Sequence, residues 1–549
     1  MGCKHGDRVH RVSTHPEVIR SSTLSVCPLP SHHRILQTTS LKNLKLYMDY
    51  SNVDPYVERV PDDKPSMDHS RLVLEDVERW VESAIKFNTP DANLVYTAST
   101  RNADGVVDGT TGSNYCDIAR DSILFPSFNM KVDLYIMIIP MNDKNLDFVA
   151  AATDCVLSNE DRTDRVRLGL LEINLAYIKA NAKTRITEFP VFLHEIFHLL
   201  GFGSQVFEAR IPGTRLLVDR KKIGTKTYSI LKSPKLLEYA RSYYGNSSID
   251  GIPLEENGGD ANMNNHFEKT YFPTEMMNPT SETDLTISMF SMKVLEDLGY
   301  TVDYDYAQWW EVGKDNAGFF DKYCPATPEI CLNRSLPGCS MDYASKGFCF
   351  EVIEFSRGCS FYKASETNCK FDVDIADVEK QGPYEFQTFG PNSRCLPVTV
   401  VTDEDTRRMS LCVQTKCVPS GIEFRTSSNG ISLCVFEGQN VQLQGFNASF
   451  TCPDPAKFCS LYTRRCPNEC SGNGICTING KCFCMNGSTK EDCCDNEECA
   501  KINQDPFRKY AQLANQEFGE FTRGPIMEWS LLTMYSTLTI ALMTIIVYA

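Results

Sequence analysis

Several things are scarce in this 549-residue chain, and each shortage removes a class of function. Positive charge is outnumbered: 55 Lys and Arg stand against 71 Asp and Glu, for a net charge of −16. A sequence-independent grip on nucleic acid needs a basic surface, so no nucleic-acid partner is expected. No glycine-rich phosphate loop and no low-complexity run occurs, which leaves nucleotide chemistry without a motif. The opening MGCKHGDRVHRVSTHPEVIR has no apolar stretch, so no secretory signal is visible. Gly2 and Cys3 allow a dual-acylation reading, but Gly6 stands where a myristoylation pattern has Ser or Thr. Cysteine is thin up to residue 323, with only Cys3, Cys27, Cys116 and Cys155. Histidine is rare, nine in all with five in residues 1–35, and beyond His69 only His194, His198 and His266 remain.

What is present reads differently. With 42% hydrophobic and 23% charged residues, the chain can build two to four domains with real cores. Twenty of the 24 cysteines lie between Cys324 and Cys499. A cytosol keeps such thiols reduced, so they predict a disulfide framework in an oxidising compartment. Four N-x-[ST] sequons, at Asn246, Asn333, Asn447 and Asn486, agree with export. The cysteines outweigh the missing leader and point to an incomplete N-terminus. At the other end, WSLLTMYSTLTIALMTIIVYA (residues 529–549) carries no charge. As a helix it spans about 30 Å, the thickness of a bilayer core. Behind the polar stretch before it, this tail fits a glycolipid-anchor signal, with a plain C-terminal membrane helix as the alternative.

Composition divides the chain into a basic leader or pro-segment remnant (1–35), a mixed α and β region (36–322), a cysteine-rich domain of short strands (323–465), a denser cysteine module (466–499), a polar stalk (500–528) and the apolar tail (529–549). The repeat in RLVLEDVERWVESAIKF (71–87) predicts a helix, and VDLYIMIIPM (132–141) a buried strand. The C-x₃-C-x₅-C-x₅-C-x-C spacing from Cys466 resembles an EGF-like module.

The chemistry-bearing motif is His194-Glu195-Ile196-Phe197-His198 within FPVFLHEIFHLLGFG. Helix geometry puts residues i and i+4 on one face, where two imidazoles can hold one zinc ion. Glu195 then reaches a metal-bound water rather than the metal, as a general base does. Gly201 ends the helix. The alternative is a pair of ordinary core histidines. A catalytic zinc site needs a third ligand. In metzincins it lies six residues after the second histidine, but Ser204 stands there. His266, 68 residues past His198, is the remaining histidine, and TEMMNPT follows it with Met276 and Met277 in a turn-like Asn-Pro context.

The chain resembles the leishmanolysin family of surface zinc metalloproteases. The resemblance is carried by HEIFHLLGFG (194–203), SPKLLEYARSYYG (233–245), GIPLEENGG (251–259), NHFEK (265–269), TEMMNP (274–279) and SMKVLEDLGY (291–300). It covers residues 40–460 and implies an α+β architecture: a metzincin-type catalytic domain, split into an N-terminal part (36–203) and a central part (204–322), before a disulfide-rich, mainly β domain and the EGF-like module. It implies one Zn²⁺ on His194, His198 and His266, Glu195 as acid/base, Met277 in a methionine turn, a disulfide between Cys116 and Cys155, a zymogen in which Cys3 occupies the zinc, and a glycolipid anchor. The expected function is hydrolysis of peptide bonds in protein substrates at the cell surface, in proteolysis or adhesion. The alternatives are an inactive zinc-binding adhesion protein and a recognition ectodomain in which the histidine helix is core. Cleavage preference and oligomeric state are not legible.

Overall fold

The computed structural model describes residues 41–495, apart from 88–93, 97–127, 158–165, 210–216, 371–386 and shorter interruptions. Cys3, Cys27, Cys116, Asn333, Asn447, Asn486, the leader, the stalk and the tail lie outside the described residues, as does the side chain of Cys155. Among the described residues no helix is long and apolar enough to cross a membrane.

The first half is built on a four-stranded sheet in the order Leu46–Asp49, Leu134–Met141, Val166–Asn174, Ala150–Leu157. The first three strands run parallel and the last is antiparallel. All nine residues of Val166–Asn174 are buried. That is why the central strands read as continuous apolar runs, not as alternating ones. The expected strand at 132–141 is present as Leu134–Met141.

Two long helices cover this sheet. Lys64–Ala84 buries Val73, Leu74, Val77, Trp80, Val81 and Ala84, an i, i+1, i+4, i+7 stripe. It begins a full two turns before the predicted start. Residues 64–70 lack strong apolar periodicity, yet Pro65 sits in the first turn, where its missing N–H costs nothing. The second helix, Ala182–Leu199, carries the histidine motif and continues through Pro190. Trp80 and Phe197 join the two helices with ring centroids 6.0 Å apart. Gly169 lets the helix come close to the sheet, because a Cβ there would stand 2.6 Å from Leu199 Cδ2.

Beyond Gly201 the chain forms a hairpin (Leu217–Ile223 with Lys226–Leu231), the helix Pro234–Tyr244, a long irregular segment and the helix Met289–Asp297. An aromatic core of Tyr243, Tyr244, Phe272, Phe290, Trp310 and Phe319 packs this part together.

The second half is β. A six-stranded antiparallel sheet and a four-stranded one hold a separate core around Leu396, Val398, Leu411, Val413, Phe424 and Phe450. Disulfides staple it: 324–359, 331–349, 339–395, 369–412, 417–459 and 434–452. A small knot follows, a hairpin of Gly474–Cys476 and Cys482–Cys484 crossed by 466–476, 470–482 and 484–493. The knot is seated on the helices of the first half. Arg79 lies 5.4 Å over the Phe483 ring and donates to the Cys484 carbonyl at 3.1 Å, and Ile478 N–H donates to Ala307 O at 2.6 Å.

Candidate metal centre

The helix Ala182–Leu199 brings His194 and His198 to one face, one turn apart, and buries both. Gly201, at φ 104°, lets the chain fold back after the helix. The Phe202 N–H then donates to Phe197 O at 3.0 Å, and Phe202 O turns to face His198 Nδ1 at 2.6 Å. The glycine turn therefore does two jobs: it caps the helix and orients the second histidine.

His266 arrives from the irregular segment. Its carbonyl accepts from Glu255 N–H at 2.9 Å, and its Nδ1 lies 3.2 Å from Asn262 O. Ser204, where the compact metzincin spacing has a histidine, instead donates its N–H to Asn265 Oδ1 at 2.8 Å. That bond ties the loop after His198 to the neighbour of His266.

The three Nε2 atoms converge, 2.9 Å apart for His194–His198, 3.1 Å for His194–His266 and 3.2 Å for His198–His266. Each Nδ1 faces a backbone carbonyl: Met276 O at 2.7 Å for His194, Phe202 O for His198, Asn262 O for His266. A carbonyl only accepts, so each ring carries its proton on Nδ1 and turns a lone pair inward at Nε2. Burial pushes His194 down to about 4, against the opposing pull of its Met276 bond, and keeps the ring neutral. Three lone pairs converging in a buried space repel one another unless a cation sits between them. Bonds of 2.0–2.1 Å in tetrahedral geometry set ligand nitrogens about 3.3 Å apart, close to the separations here. The donor set fits a divalent transition metal, with each imidazole oriented by a second partner as metal-bound histidines are.

Glu195 is buried, and its Oε2 accepts from the Ala152 N–H at 2.8 Å. Ala152 lies on the antiparallel edge strand Ala150–Leu157, so the carboxylate is braced by the sheet beside the first histidine.

Met276 and Met277 are both fully buried. The turn they form touches two of the histidine segments: Met276 O receives His194, and Met277 O accepts from Phe267 N–H at 2.9 Å. Sequence reasoning missed Glu275. Its buried carboxylate accepts from Met277 N–H at 2.5 Å, Ser291 Oγ at 2.5 Å and Ser288 Oγ at 2.8 Å, and pins the turn to the helix Met289–Asp297. Burial pushes Glu275 up to about 7 against those donors. The sequence signal was slight, a glutamate between Thr274 and Met276, of a residue type rarely buried unless paired.

Two other features are not metal sites. Sγ atoms of Cys466, Cys470 and Cys482 lie near one another, but all three are in disulfides. A cavity of about 550 Å³ lies between the helix Lys64–Ala84, the start of the histidine helix and the knot. It is lined by His69, which meets Glu188 at 2.8 Å, and contains none of the residues around the three imidazoles. The converging donor set, not the cavity volume, marks the chemistry. Asn246 is partly exposed and donates from Nδ2 to Ala317 O at 2.7 Å.

Residues 123–353 match the leishmanolysin peptidase family. The chain is 26% identical to a leishmanolysin of Leishmania chagasi over 206 residues, 37% of this chain and 31% of that protein. It is 30% identical to a leishmanolysin homolog of Crithidia fasciculata over 188 residues, 33% of this chain and 26% of that protein. Over this matched region the chain is similar to the leishmanolysin family. A ciliated left-right organizer metallopeptidase of Mus musculus is 20% identical over 342 residues, 56% of this chain and 48% of that protein. The chain spans less than a third of the length of the Leishmania and Crithidia relatives it matches. His194, Glu195, His198, His266 and Met277 all fall inside the matched region, whereas the knot lies beyond it.

Proposed function

We propose that this chain is a zinc-dependent endopeptidase of the leishmanolysin type, with His194, His198 and His266 as ligands and Glu195 as general acid/base. The observation that carries the reading is the convergence of three inward-facing Nε2 atoms beside a buried carboxylate. Zinc bound there supplies a Lewis acid that polarises a peptide carbonyl and lowers the pKa of a bound water.

The remaining work belongs to the chain. Glu195 takes the proton from the attacking water and passes it to the leaving amine. The Ala152 N–H fixes one of its oxygens, so the carboxylate does not have to reorganise during transfer. No covalent bond between enzyme and substrate is needed.

The proposal extends to the setting. The six disulfides of the β domain fit an oxidising, extracellular location. The knot pairs its cysteines first to third, second to fourth and fifth to sixth, which supports the EGF-like reading. Cys3 as zymogen ligand, glycans at the sequons, the Cys116–Cys155 bridge and a glycolipid or helical anchor at 529–549 remain part of the same proposal. Intact Glu195 favours an enzyme over an inactive adhesion protein, because zinc binding alone does not need it.

Casein digestion with and without chelator, on wild type and Glu195→Ala, tests the reading. Wild type should digest casein and lose that activity to the chelator. Glu195→Ala should keep its zinc and lose at least about 10²–10⁴-fold in turnover, the usual worth of a general base. Wild-type turnover in that variant would remove Glu195 from the mechanism.

A further inference from the structure

Lys269 stands three residues beyond His266, and its side chain is only 1% exposed. A buried ammonium is expensive unless its donors are satisfied. Its partners are concentrated in one loop. Nζ donates to Pro273 O, to Thr280 Oγ1 at 2.6 Å, to Asn278 Oδ1 at 3.3 Å and to Glu282 Oε1 at 3.1 Å. Residues 273–282 contain the Met276–Met277 turn, so Lys269 grips that turn on both sides. Asn278, the residue after Met277, completes the grip by donating from Nδ2 to Glu275 O at 2.6 Å.

The contacts continue into the disulfide-rich domain. The second oxygen of Glu282 lies 3.7 Å from Lys363 Nζ, on the strand Ser360–Asn368. Burial works to raise Glu282, but Lys269 and Lys363 outweigh it and hold the carboxyl below its usual range, so it stays charged between two ammonium groups. Thr274, at the start of the loop, adds a second link through its hydroxyl to Met341 Sδ at 3.6 Å. The turn so held is the one that receives His194 Nδ1 at Met276 O and Phe267 N–H at Met277 O.

We propose that Lys269 is a positioning residue for the metal centre. With Glu282 and Lys363 it forms a strut that braces the methionine turn, and through it His194 and His266, against the disulfide-rich domain. The inference rests on the zinc-site reading above and assigns that domain a role in metal retention. Lys269 touches neither substrate nor metal. It acts by keeping two carbonyls where they fix the tautomer and orientation of one ligand and the backbone beside another.

The test is zinc affinity of the full chain by chelator competition, for wild type, Lys269→Met and Lys363→Met, with the visible spectrum of the cobalt-substituted proteins. Partners of metal ligands are typically worth about 10–100-fold in affinity. Lys269→Met should lose zinc affinity in that range and shift the cobalt bands, which a loss of fold stability alone would leave in place. Lys363→Met, at a side chain 27% exposed, should show a smaller loss in the same direction. If Lys269→Met fails to fold, Lys363→Met decides. Zinc affinity and cobalt spectrum indistinguishable from wild type, in whichever of the two variants folds, would overturn the strut while leaving the zinc site intact. A wild type that binds no zinc would overturn the underlying reading and the strut with it.

Discussion

At the scale of single residues, the proposed metal centre was legible because it depends on residue type and short spacing. His194, Glu195 and His198 follow from one helical turn, and His266 followed from the scarcity of histidine after residue 69. The partners that orient them were not legible. Met276 O, Phe202 O and Asn262 O are backbone atoms, and backbone carries no sequence signature. Buried titratable pairs escaped for a related reason: His69 and Glu188 lie 119 residues apart and meet only in the fold. Burial pushes Glu188 up to about 7, against the pull of the Lys179 backbone N–H. A carboxyl raised in the folded state binds its proton more tightly there than when unfolded. Its favourable contribution is thus full below about pH 4.5 and lost as pH rises to about 7. Burial lowers His69, with help from Arg185, which gives a slope of opposite sign, so wild type shows only the difference. Glu188→Gln should remove the first slope and leave the second. Urea unfolding at pH 5 and pH 8 should show the variant gaining relative to wild type by up to about 3 kcal/mol. Equal pH slopes in the two proteins would contradict the shift.

At the scale of elements, periodicity found the strand at 134–141 and the core of the helix at 64–84, but it put that helix at 71–87, whereas the helix starts at Lys64 and Ile85–Phe87 is a strand. The histidine helix starts at Ala182, although the stretch before Phe189 is polar and Pro190 interrupts it. Tertiary contact overrides propensity there: Arg185 is bonded to Asp76 at 2.5 Å and to Leu72 O at 3.1 Å on the neighbouring helix. The closeness of that helix to the sheet rests on Gly169, under Leu199. Overpacking of this kind costs about 1–3 kcal/mol. Gly169→Val should lose stability in that range in urea unfolding, and a variant as stable as wild type would show that the helix does not need the gap. Glu275 also belongs at this scale, because it joins the methionine turn to the helix Met289–Asp297. A single glutamate between Thr274 and Met276 gave no spacing rule from which to foresee that bond.

At the scale of the whole molecule, composition separated the α and β half from the cysteine-rich half, and cysteine counting foresaw a disulfide framework. Connectivity stayed hidden because twenty clustered cysteines admit too many pairings. The seat of the knot on the helices Lys64–Ala84 and Ala182–Leu199 was equally hidden, since it depends on Arg79, Phe189 and Phe483 meeting across some 400 residues of chain. A metal that binds only the folded chain stabilises it by mass action. Thermal unfolding with chelator should therefore begin at lower temperature than with zinc, with an unchanged disulfide pattern. Coincident melting curves would argue that no ion is held by the fold.

The most direct measurement of the central claim is the metal content of purified wild type beside His266→Ala. Wild type should carry one zinc per chain. The variant loses one of the three proposed protein ligands, a larger change than the outer-shell losses of about 10–100-fold, and should be metal-free after dialysis against a weak chelator. A folded His266→Ala protein that retains a full equivalent of zinc would contradict the three-histidine centre.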